Sequence, residues 1–186
     1  MSLTRKLLTE LNSLDEHPRL EAKACADGKL GSSFFTSVCA FSNEPDLGGG
    51  IIILGVSRNE NDFFSGYEAH GVAEPDKIQL DISNGCASHF NVRVRPKITV
   101  EDYHGKTVII VEIEERQPSG KPLFFSNQNL PRAAWRRIGS SDQRCTDEDM
   151  IVFYGNRSGE SYDLTLLPHT TVDDLDPEAI EYYRTL

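Results

Sequence analysis

Two glutamates near the N-terminus have a spacing that could support catalysis. Glu16 and Glu21 lie five positions apart and flank the start of a predicted strand, where they could converge with a carboxylate that follows IIILGV. Clustered carboxylates can hold Mg²⁺ or Mn²⁺ for phosphodiester hydrolysis. The alternative, which the spacing alone favours, is that Glu21 forms a surface ion pair with Lys23 or a neighbouring arginine.

Basic residues further along the chain suggest contact with nucleic-acid phosphates instead. In NVRVRPK, a strand period of two would place the three cations on one face, and in PRAAWRRIG the tryptophan would share a face with an arginine. Basic strands that carry an aromatic residue can follow a phosphate backbone and stack a base. A solvated sheet face, neutralised by glutamates of the next strand, fits the pattern equally well. The candidate phosphate contacts are Lys23, Arg93, Arg95, Lys97, Arg132, Arg136, Arg137 and Arg144.

A run of three glycines precedes the aliphatic segment IIILGV. A phosphate-binding loop follows its strand and needs a lysine, and a dinucleotide fingerprint has the same order, so neither motif fits. We expect these glycines to permit positive φ angles and a close approach between a helix end and the strand. The positions predicted to be structural are Asn43, Gly48, Gly49, Gly50 and Gly55.

Histidine and cysteine show no catalytic or metal-binding spacing. The four cysteines include no C-x-x-C pair and are expected to be reduced core residues, and the five histidines lie in no nucleophile motif. The sequence therefore predicts no cofactor and no metal, except Mg²⁺ or Mn²⁺ if the two glutamates are catalytic.

Hydrophobic periodicity predicts the elements that position these residues. One helix is predicted near the N-terminus with Thr4 as cap, and a second in SSFFTSVCAFSNE with Ser32 or Ser33 as cap. A third is predicted over 76–87, and a fourth in TDEDMIVFYGNR, where Met150, Val152 and Phe153 should point inward. A further helix is predicted to begin at Pro177. Strands are predicted in PRLEAKA, in IIILGV with both faces covered, in KPLFF and AAWRRIG, and in a hairpin of NVRVRPKITVEDY with KTVIIVEIEE that turns at His104-Gly105.

Composition and charge limit the partners and the location. The net charge of −10 argues against nucleic acid unless the charge is uneven, and residues 147–186 alone contribute −8, from ten acidic and two basic residues. No apolar run approaches the roughly 18 residues that span a membrane, and the N-terminus is too polar for a signal peptide. We expect a cytoplasmic protein with no membrane partner.

Taken in order, the motifs resemble the Schlafen-type AlbA domain, described as a DNA-binding domain of bacterial transcriptional regulators. The resemblance covers residues 15–157 and rests on Glu21-Ala22-Lys23, Ala40-Phe41-Ser42-Asn43, Gly48-Gly49-Gly50, Ile51 to Val56, Gly66, Arg95-Pro96, Lys121-Pro122 and Arg137-Ile138-Gly139-Ser140. It implies an α/β (α+β) domain with a mixed, largely antiparallel sheet flanked by helices. We therefore expect a domain at 1–157, with 158–186 as an acidic linker and the start of a following region. That region is expected to be truncated, because the helix predicted from Pro177 has apolar positions and too little chain left to cover them.

The same resemblance bears on nuclease activity. Eukaryotic Schlafen proteins include RNA endonucleases with two glutamates, five positions apart as Glu16 and Glu21 are, and an aspartate just after the aliphatic strand. This chain has Ser57-Arg58 there, which argues against nuclease activity unless Glu60 or Asp62 replaces the aspartate.

The leading hypothesis is therefore a DNA-binding domain of a transcriptional regulator, with DNA favoured over RNA and little sequence specificity. The alternatives are a divalent-metal ribonuclease of Schlafen type, and a protein-interaction or ATP-binding module in which the acidic tail contacts a basic partner or shields the basic face. A homodimer that pairs through sheet edges is also compatible with the predicted strands.

Overall fold

A four-stranded sheet between helices organises the chain. The computed structural model describes residues 2–25, 27–58 and 66–158, together with Thr171, Asp176, Glu181 and Tyr182. The elements in chain order are α1 (Leu3–Leu14), β1 (Leu20–Lys23), α2 (Phe34–Asn43), β2 (Gly50–Leu54), β3 (Val56–Arg58), β4 (Tyr67–Ala69), α3 (Pro75–Ser88), β5 (Lys97–Tyr103), β6 (Lys106–Ile113), a 3₁₀ turn (Pro118–Gly120), β7 (Trp135–Ile138), β8 (Ser141–Arg144), α4 (Asp147–Gly155) and a second 3₁₀ turn (Asn156–Ser158).

The strand order of the main sheet is β1-β2-β6-β5. The β1–β2 pair is parallel, whereas β6 runs antiparallel to both of its neighbours, β2 and β5. Two further antiparallel pairs, β3–β4 and β7–β8, lie outside the main sheet. The structure therefore confirms the predicted α+β class with a mixed, largely antiparallel sheet.

Hydrophobic side chains cover both faces of the main sheet. On one face, Ile52 and Leu54 of β2 pack in a cluster with Phe34, Phe41 and Ile82 of the helices α2 and α3. On the other face, Ile53 packs with the leucines of α1. The prediction of a β2 covered on both sides is confirmed, because successive side chains of a strand point to opposite faces. All four cysteines are free and buried, as expected.

Several predicted boundaries are wrong for identifiable reasons. Residues 91–96 are not a strand, because β5 begins only at Lys97, directly after a proline that has no N–H for a ladder. KPLFF makes only isolated bridges, and IIILGV is divided at Gly55, whose φ of +84° interrupts the strand.

The helix ends also differ in detail. Ser2, not Thr4, caps α1, since the Ser2 side chain accepts from the Arg5 N–H. Ser33 stands at the N-cap of α2 but makes no side-chain cap bond. In α4, Met150 and Phe153 are buried as predicted, whereas Val152 is 48% exposed.

Other predictions hold. The hairpin turns at His104-Gly105, both with positive φ, and α4 begins with a capping box on Thr146. The helix predicted from Pro177 lies outside the described residues except for Glu181 and Tyr182, which are helical, and Glu60 and Asp62 also lie outside them. Within the described part of the chain, no helix has the length and apolar character needed to cross a membrane.

Candidate nucleic-acid interface

Four charged side chains form a group that we call the ionic cluster, with Glu21 and Arg137 buried and Lys23 and Asp142 half-buried. The Glu21 carboxylate pairs with Lys23 Nζ at 2.5 Å through one oxygen and with Arg137 Nη1 at 3.0 Å through the other. Arg137 Nη1 also lies 2.8 Å from Asp142 Oδ1. Arg137 is only 3% exposed and Glu21 only 9%, so the expected surface ion pair is in fact buried.

Neighbouring groups add further contacts to the ionic cluster, although Arg137 Nε has no hydrogen-bond partner among the described residues. Lys23 Nζ donates to Ser33 Oγ at 2.8 Å, and Ser37 Oγ donates to Asp142 Oδ2 at 2.6 Å. The guanidinium carbon of Arg137 lies 4.8 Å from the centre of the Phe41 ring. The cluster thus ties β1, α2, β7 and β8 together. Its two cations balance its two carboxylates, and the burial of Arg137 leaves it no surface to present to a phosphate.

Glu16 lies beside the ionic cluster and bonds to the backbone. Its Oε1 accepts from the Ala22 N–H at 2.9 Å. Burial raises the pKa of Glu16 above its usual value, and the charge of Glu21 raises it further, against the hydrogen bond from Ala22.

The surroundings of Glu16 and Glu21 do not fit a catalytic Mg²⁺ or Mn²⁺. Both oxygens of Glu21 already face cations, and within the described ranges no group of three or more His, Cys, Asp or Glu side chains could hold a metal ion. At the position of the nuclease aspartate, Arg58 pairs with Asp15 at 2.9 Å. A metal ion would have to displace both Lys23 and Arg137 from the Glu21 carboxylate. The role of Glu21 is therefore structural.

Arg136 is half-buried, and carboxylates of the same chain hold it in place. It forms two parallel bonds with the Glu44 carboxylate, at 3.0 and 2.8 Å, and a third bond from Nη1 to Asp149 Oδ1 at 2.5 Å. Glu44, and after it Asp149, raises the pKa of Arg136 above its already high usual value. Because these carboxylates occupy its nitrogens, Arg136 links the end of α2 and the start of α4 to β7.

The remaining predicted contacts lie at the surface. Arg144 and Arg132 are exposed, and Arg144 stacks 5.0 Å from the Trp135 ring centre. Lys97 is exposed but pairs with Glu112 at 2.7 Å. Arg93 and Arg95 are exposed and have no side-chain partner among the described residues.

Two adjoining pockets of about 430 and 420 Å³ meet at Arg95, and Arg93 lines the second of them. The first lies beside α1, the second lies beside the end of β6, and the two share Arg95 and Glu114. Six cations and four glutamates line the pair. We call the six cations the basic face: Lys6, Arg19, Arg93, Arg95, Lys97 and Arg116.

Local backbone contacts set the direction of these arginines. The Val94 N–H donates to the Cys86 carbonyl at 2.9 Å, and the Val94 side chain packs against the core. Because Val94 is held inward, its neighbours Arg93 and Arg95 remain at the surface. Arg93, Arg95 and Lys97 therefore lie at one surface, as predicted. The cause is the loop held by the Val94 hydrogen bond, and not the alternation of side chains along a strand.

Sequence reasoning missed three members of the basic face. Lys6 belongs to α1, Arg19 precedes β1, and Arg116 follows β6. None of them stands in a basic run, and only the fold brings them beside Arg95, so the sequence held no direct signal for this grouping. The uneven charge along the chain was the one indirect indication.

The sequence matches the family described as Schlafen, AlbA_2 over residues 16–146. The chain belongs to the Schlafen AlbA_2 family. The solution NMR structure of the N-terminal domain of a "Putative ATP-dependent DNA Helicase RecG-related Protein" from Nitrosomonas europaea is 44% identical, with a TM-score of 0.63. The match covers 78% of this chain and 95% of that domain.

A more distant match is the crystal structure of the DIP2311 protein from Corynebacterium diphtheriae. It is 14% identical with a TM-score of 0.47, and the match covers 97% of this chain and 38% of that one. A search of curated proteins found no match.

The motif residues of this AlbA_2 domain make structural contacts. Asn43 Nδ2 donates to the carbonyls of Leu123 and Trp135 at 2.8 and 2.9 Å, and its Oδ1 accepts from the Leu123 N–H at 2.6 Å. A Cβ on Gly49 would lie 2.0 Å from the Ile113 carbonyl, and one on Gly50 would lie 2.2 Å from the Phe41 ring. Asn43 and the glycines therefore fasten the end of α2 and the start of β2 to the rest of the core.

Proposed function

We propose that this AlbA_2 domain binds nucleic acid through the basic face, with DNA preferred to RNA, as the DNA-contacting part of a bacterial transcriptional regulator. Membership of the AlbA_2 family supports a nucleic-acid-related role. The 44% identity with the N-terminal domain of a protein named for DNA helicase activity supports the same role.

The observation that carries the proposal is the availability of Arg93 and Arg95. Lys23, Arg136 and Arg137 are paired with carboxylates of the fold, and Lys97 pairs with Glu112, whereas Arg93 and Arg95 are exposed and have no side-chain partner in the described part of the chain. Arg93 and Arg95 both line one of two adjoining pockets, Arg95 lines the other as well, and four further cations line the pair. Arg132 and Arg144 are exposed as well, but they do not line these pockets. Guanidinium groups bond phosphate oxygens well because they are planar and remain charged.

Charge also determines the expected mode of binding. The four glutamates beside the basic face reduce its positive charge, so we expect modest affinity at low salt and weaker binding as salt rises. Phosphate contacts position a protein on nucleic acid but do not read its sequence. Binding should therefore depend little on the sequence of the DNA.

A double substitution tests the proposal. Arg93→Gln with Arg95→Gln should weaken binding of a labelled duplex and make the dependence on log salt concentration shallower by up to about two, because two phosphate contacts are lost. Fluorescence anisotropy over a salt series, with duplex DNA and single-stranded RNA compared, is the measurement.

The matched control is Arg5→Gln with Lys29→Gln. It removes the same charge from two exposed positions that line other pockets. Equal weakening in both double variants would mean that net charge alone drives association, and the basic face would lose its assignment.

The ribonuclease alternative is not proposed, because both oxygens of Glu21 face cations in the ionic cluster. Incubation of the protein with tRNA and Mn²⁺ checks this directly. Cleavage that disappears in Glu21→Gln, provided that this variant remains folded, would reverse the choice.

A further inference from the structure

The second of the two pockets has features that general binding along a phosphate backbone does not require. We call it the arginine pocket; it measures about 420 Å³ and is lined by Arg93, Arg95 and Arg116 and by Ser42 near the end of α2. Three guanidinium groups at one small pocket suit an anion with several oxygens. What each group already bonds decides whether the pocket can accept such an anion.

Arg116 is fixed in place before any ligand arrives. Its backbone N–H donates to the Ser42 carbonyl at 2.9 Å, and its Nε donates to the Gly120 carbonyl at 3.0 Å. A Cβ on Gly120 would lie 2.8 Å from Arg116 Nη2, so the absence of a side chain there lets the guanidinium lie against the 3₁₀ turn. The Nη nitrogens have no partner among the described residues and remain free to donate.

Ser42 supplies a second unused polar group. The residue is 1% exposed, and its hydroxyl is one of two buried side-chain polar groups without a hydrogen-bond partner in the described part of the molecule. Buried hydroxyls nearly always have a partner, because an unpaired one destabilises the fold. A ligand oxygen, or a water that a ligand displaces, would satisfy this group.

The acidic residues at the arginine pocket leave its charge positive. Burial opposes ionisation of Glu115, but hydrogen bonds from Lys121 Nζ and the Gly48 N–H outweigh it and lower the pKa of Glu115. Its charge is therefore compensated by Lys121. Glu114 is exposed and is the remaining acid that lines this pocket against three arginines.

We infer that the arginine pocket binds a phosphomonoester, the group found at the end of a nucleic-acid strand or on a free nucleotide. A phosphomonoester carries about −1.5 to −2 charge at neutral pH and three terminal oxygens, whereas an internal phosphodiester carries one charge and two such oxygens. Three arginines and a hydroxyl match the former better. The inference rests on the proposed function for its nucleic-acid ligand, since Arg93 and Arg95 also belong to the basic face.

The first test uses inorganic phosphate and two DNA oligonucleotides of one sequence, with and without a 5′-phosphate. Calorimetry should detect inorganic phosphate binding, and the 5′-phosphorylated strand should bind about tenfold more tightly than the 5′-hydroxyl strand, as expected for about one charge-assisted hydrogen bond. If the protein binds inorganic phosphate but binds the two strands with equal affinity, the pocket is assigned to free phosphate compounds. No phosphate binding and no difference between the strands would overturn the inference.

Variants separate the arginine pocket from the basic face as a whole. Gly120→Ala changes no charge but displaces the Arg116 guanidinium, and Arg116→Gln removes it, so both should abolish most of the tenfold preference. Ser42→Ala should weaken phosphate binding while leaving the melting temperature equal or higher, because it removes an unpaired buried hydroxyl. The control Lys29→Gln removes an exposed charge outside the pocket and should keep the preference.

The outcomes distinguish the two proposals. Loss of the 5′-phosphate preference in Gly120→Ala and Arg116→Gln, beyond any weakening that the phosphorylated and hydroxyl strands share, supports the arginine pocket. Wild-type preference in both Gly120→Ala and Arg116→Gln overturns it and leaves the proposed function standing. Phosphate binding without any nucleic-acid binding would overturn the proposed function alone.

Discussion

At the scale of single residues, Arg137 is a charged side chain that is buried in ion pairs instead of being available to a ligand. A guanidinium at 3% exposure persists because two carboxylates pair with it and the Phe41 ring covers it. If one partner of such a group is removed, the others are left as uncompensated buried charges. The role of Arg137 is therefore to hold the strands β1, β7 and β8 against α2.

We expect Arg137→Met to lower the free energy of unfolding by about 3 kcal/mol or more, since Asp142 and Glu21 would lose their shared cation. Urea denaturation is the measurement. Arg132→Met, at an exposed position, should change stability by no more than about 0.5 kcal/mol. Equal small losses in both variants would mean that the ionic cluster contributes little.

Glu16 gives a prediction with a defined dependence on pH. Its pKa is raised in the folded state, mainly by burial, so its contribution to stability is present below the unfolded pKa and is lost as pH rises through the folded pKa. Glu16→Gln keeps an oxygen for the Ala22 N–H and removes the charge. The variant should therefore be more stable than the wild type at neutral pH, and its advantage should vanish in acid.

Denaturation curves across pH test this prediction for Glu16. Glu114→Gln serves as the control because Glu114 is exposed. A Glu16→Gln variant that is less stable than the wild type at neutral pH would contradict the prediction.

At the scale of elements, the contact between α1 and β5 depends on one carboxylate. Glu101 of β5 accepts from the Leu3 and Thr4 N–H groups, at 3.2 and 2.8 Å, and from the Thr4 hydroxyl at 2.7 Å. The first N–H groups of a helix have no partner within the helix, and the helix dipole favours a negative charge there. Glu101 thus both caps α1 and fixes where it lies on the sheet.

The pKa of Glu101 is lowered in the folded state, mainly by the hydrogen bond from the Thr4 N–H. Glu101 therefore stabilises the fold above its unfolded pKa, and this stabilisation is lost as pH falls through its folded pKa. Glu101→Gln should lower the free energy of unfolding by about 1 kcal/mol at neutral pH, and by less in acid. Chemical denaturation at several pH values measures this effect. Glu68→Gln, at an exposed position of β4, should show no such loss.

At the scale of the whole molecule, the proposed binding of a polyanion has to overcome the negative charge of the chain. Residues 159–186 contain seven acidic residues and one basic residue, so they contribute −6 of the net −10, and the rest of the chain carries −4. Like charge repels nucleic acid over about a Debye length, which is roughly 10 Å at 0.1 M salt. This segment should therefore weaken binding by the basic face at low salt.

Truncation after Ser158 should strengthen duplex binding at about 50 mM salt, and the gain should shrink at about 300 mM because salt screens the repulsion. The NMR structure of the 44% identical domain, of which the match covers 95%, indicates that a domain of similar extent folds in isolation. Anisotropy titrations measure the effect. Unchanged DNA affinity with an altered oligomeric state would instead favour an interaction role for the acidic segment.

The sequence by itself determined most of the helices, the central strand, the hairpin and the family. Hydrophobic periodicity placed β2 between two covered faces, the α3 helix and the hairpin at His104-Gly105, and the ordered motifs identified the AlbA_2 resemblance. These features depend on residues near one another in the chain, where period and turn chemistry are direct physical signals.

Only the tertiary structure decided which charges remain available. Glu21 and Arg137 are 116 positions apart, and Arg136 lies 92 positions from Glu44, so no local pattern indicates that they pair. Likewise, Lys6 and Arg19 join Arg95 at the pocket beside α1, and Arg116 joins it at the adjoining pocket beside the end of β6, only because the fold brings these segments together. Whether a cation is buried in an ion pair or exposed to a ligand depends on long-range packing, and that packing is what the fold adds to the sequence.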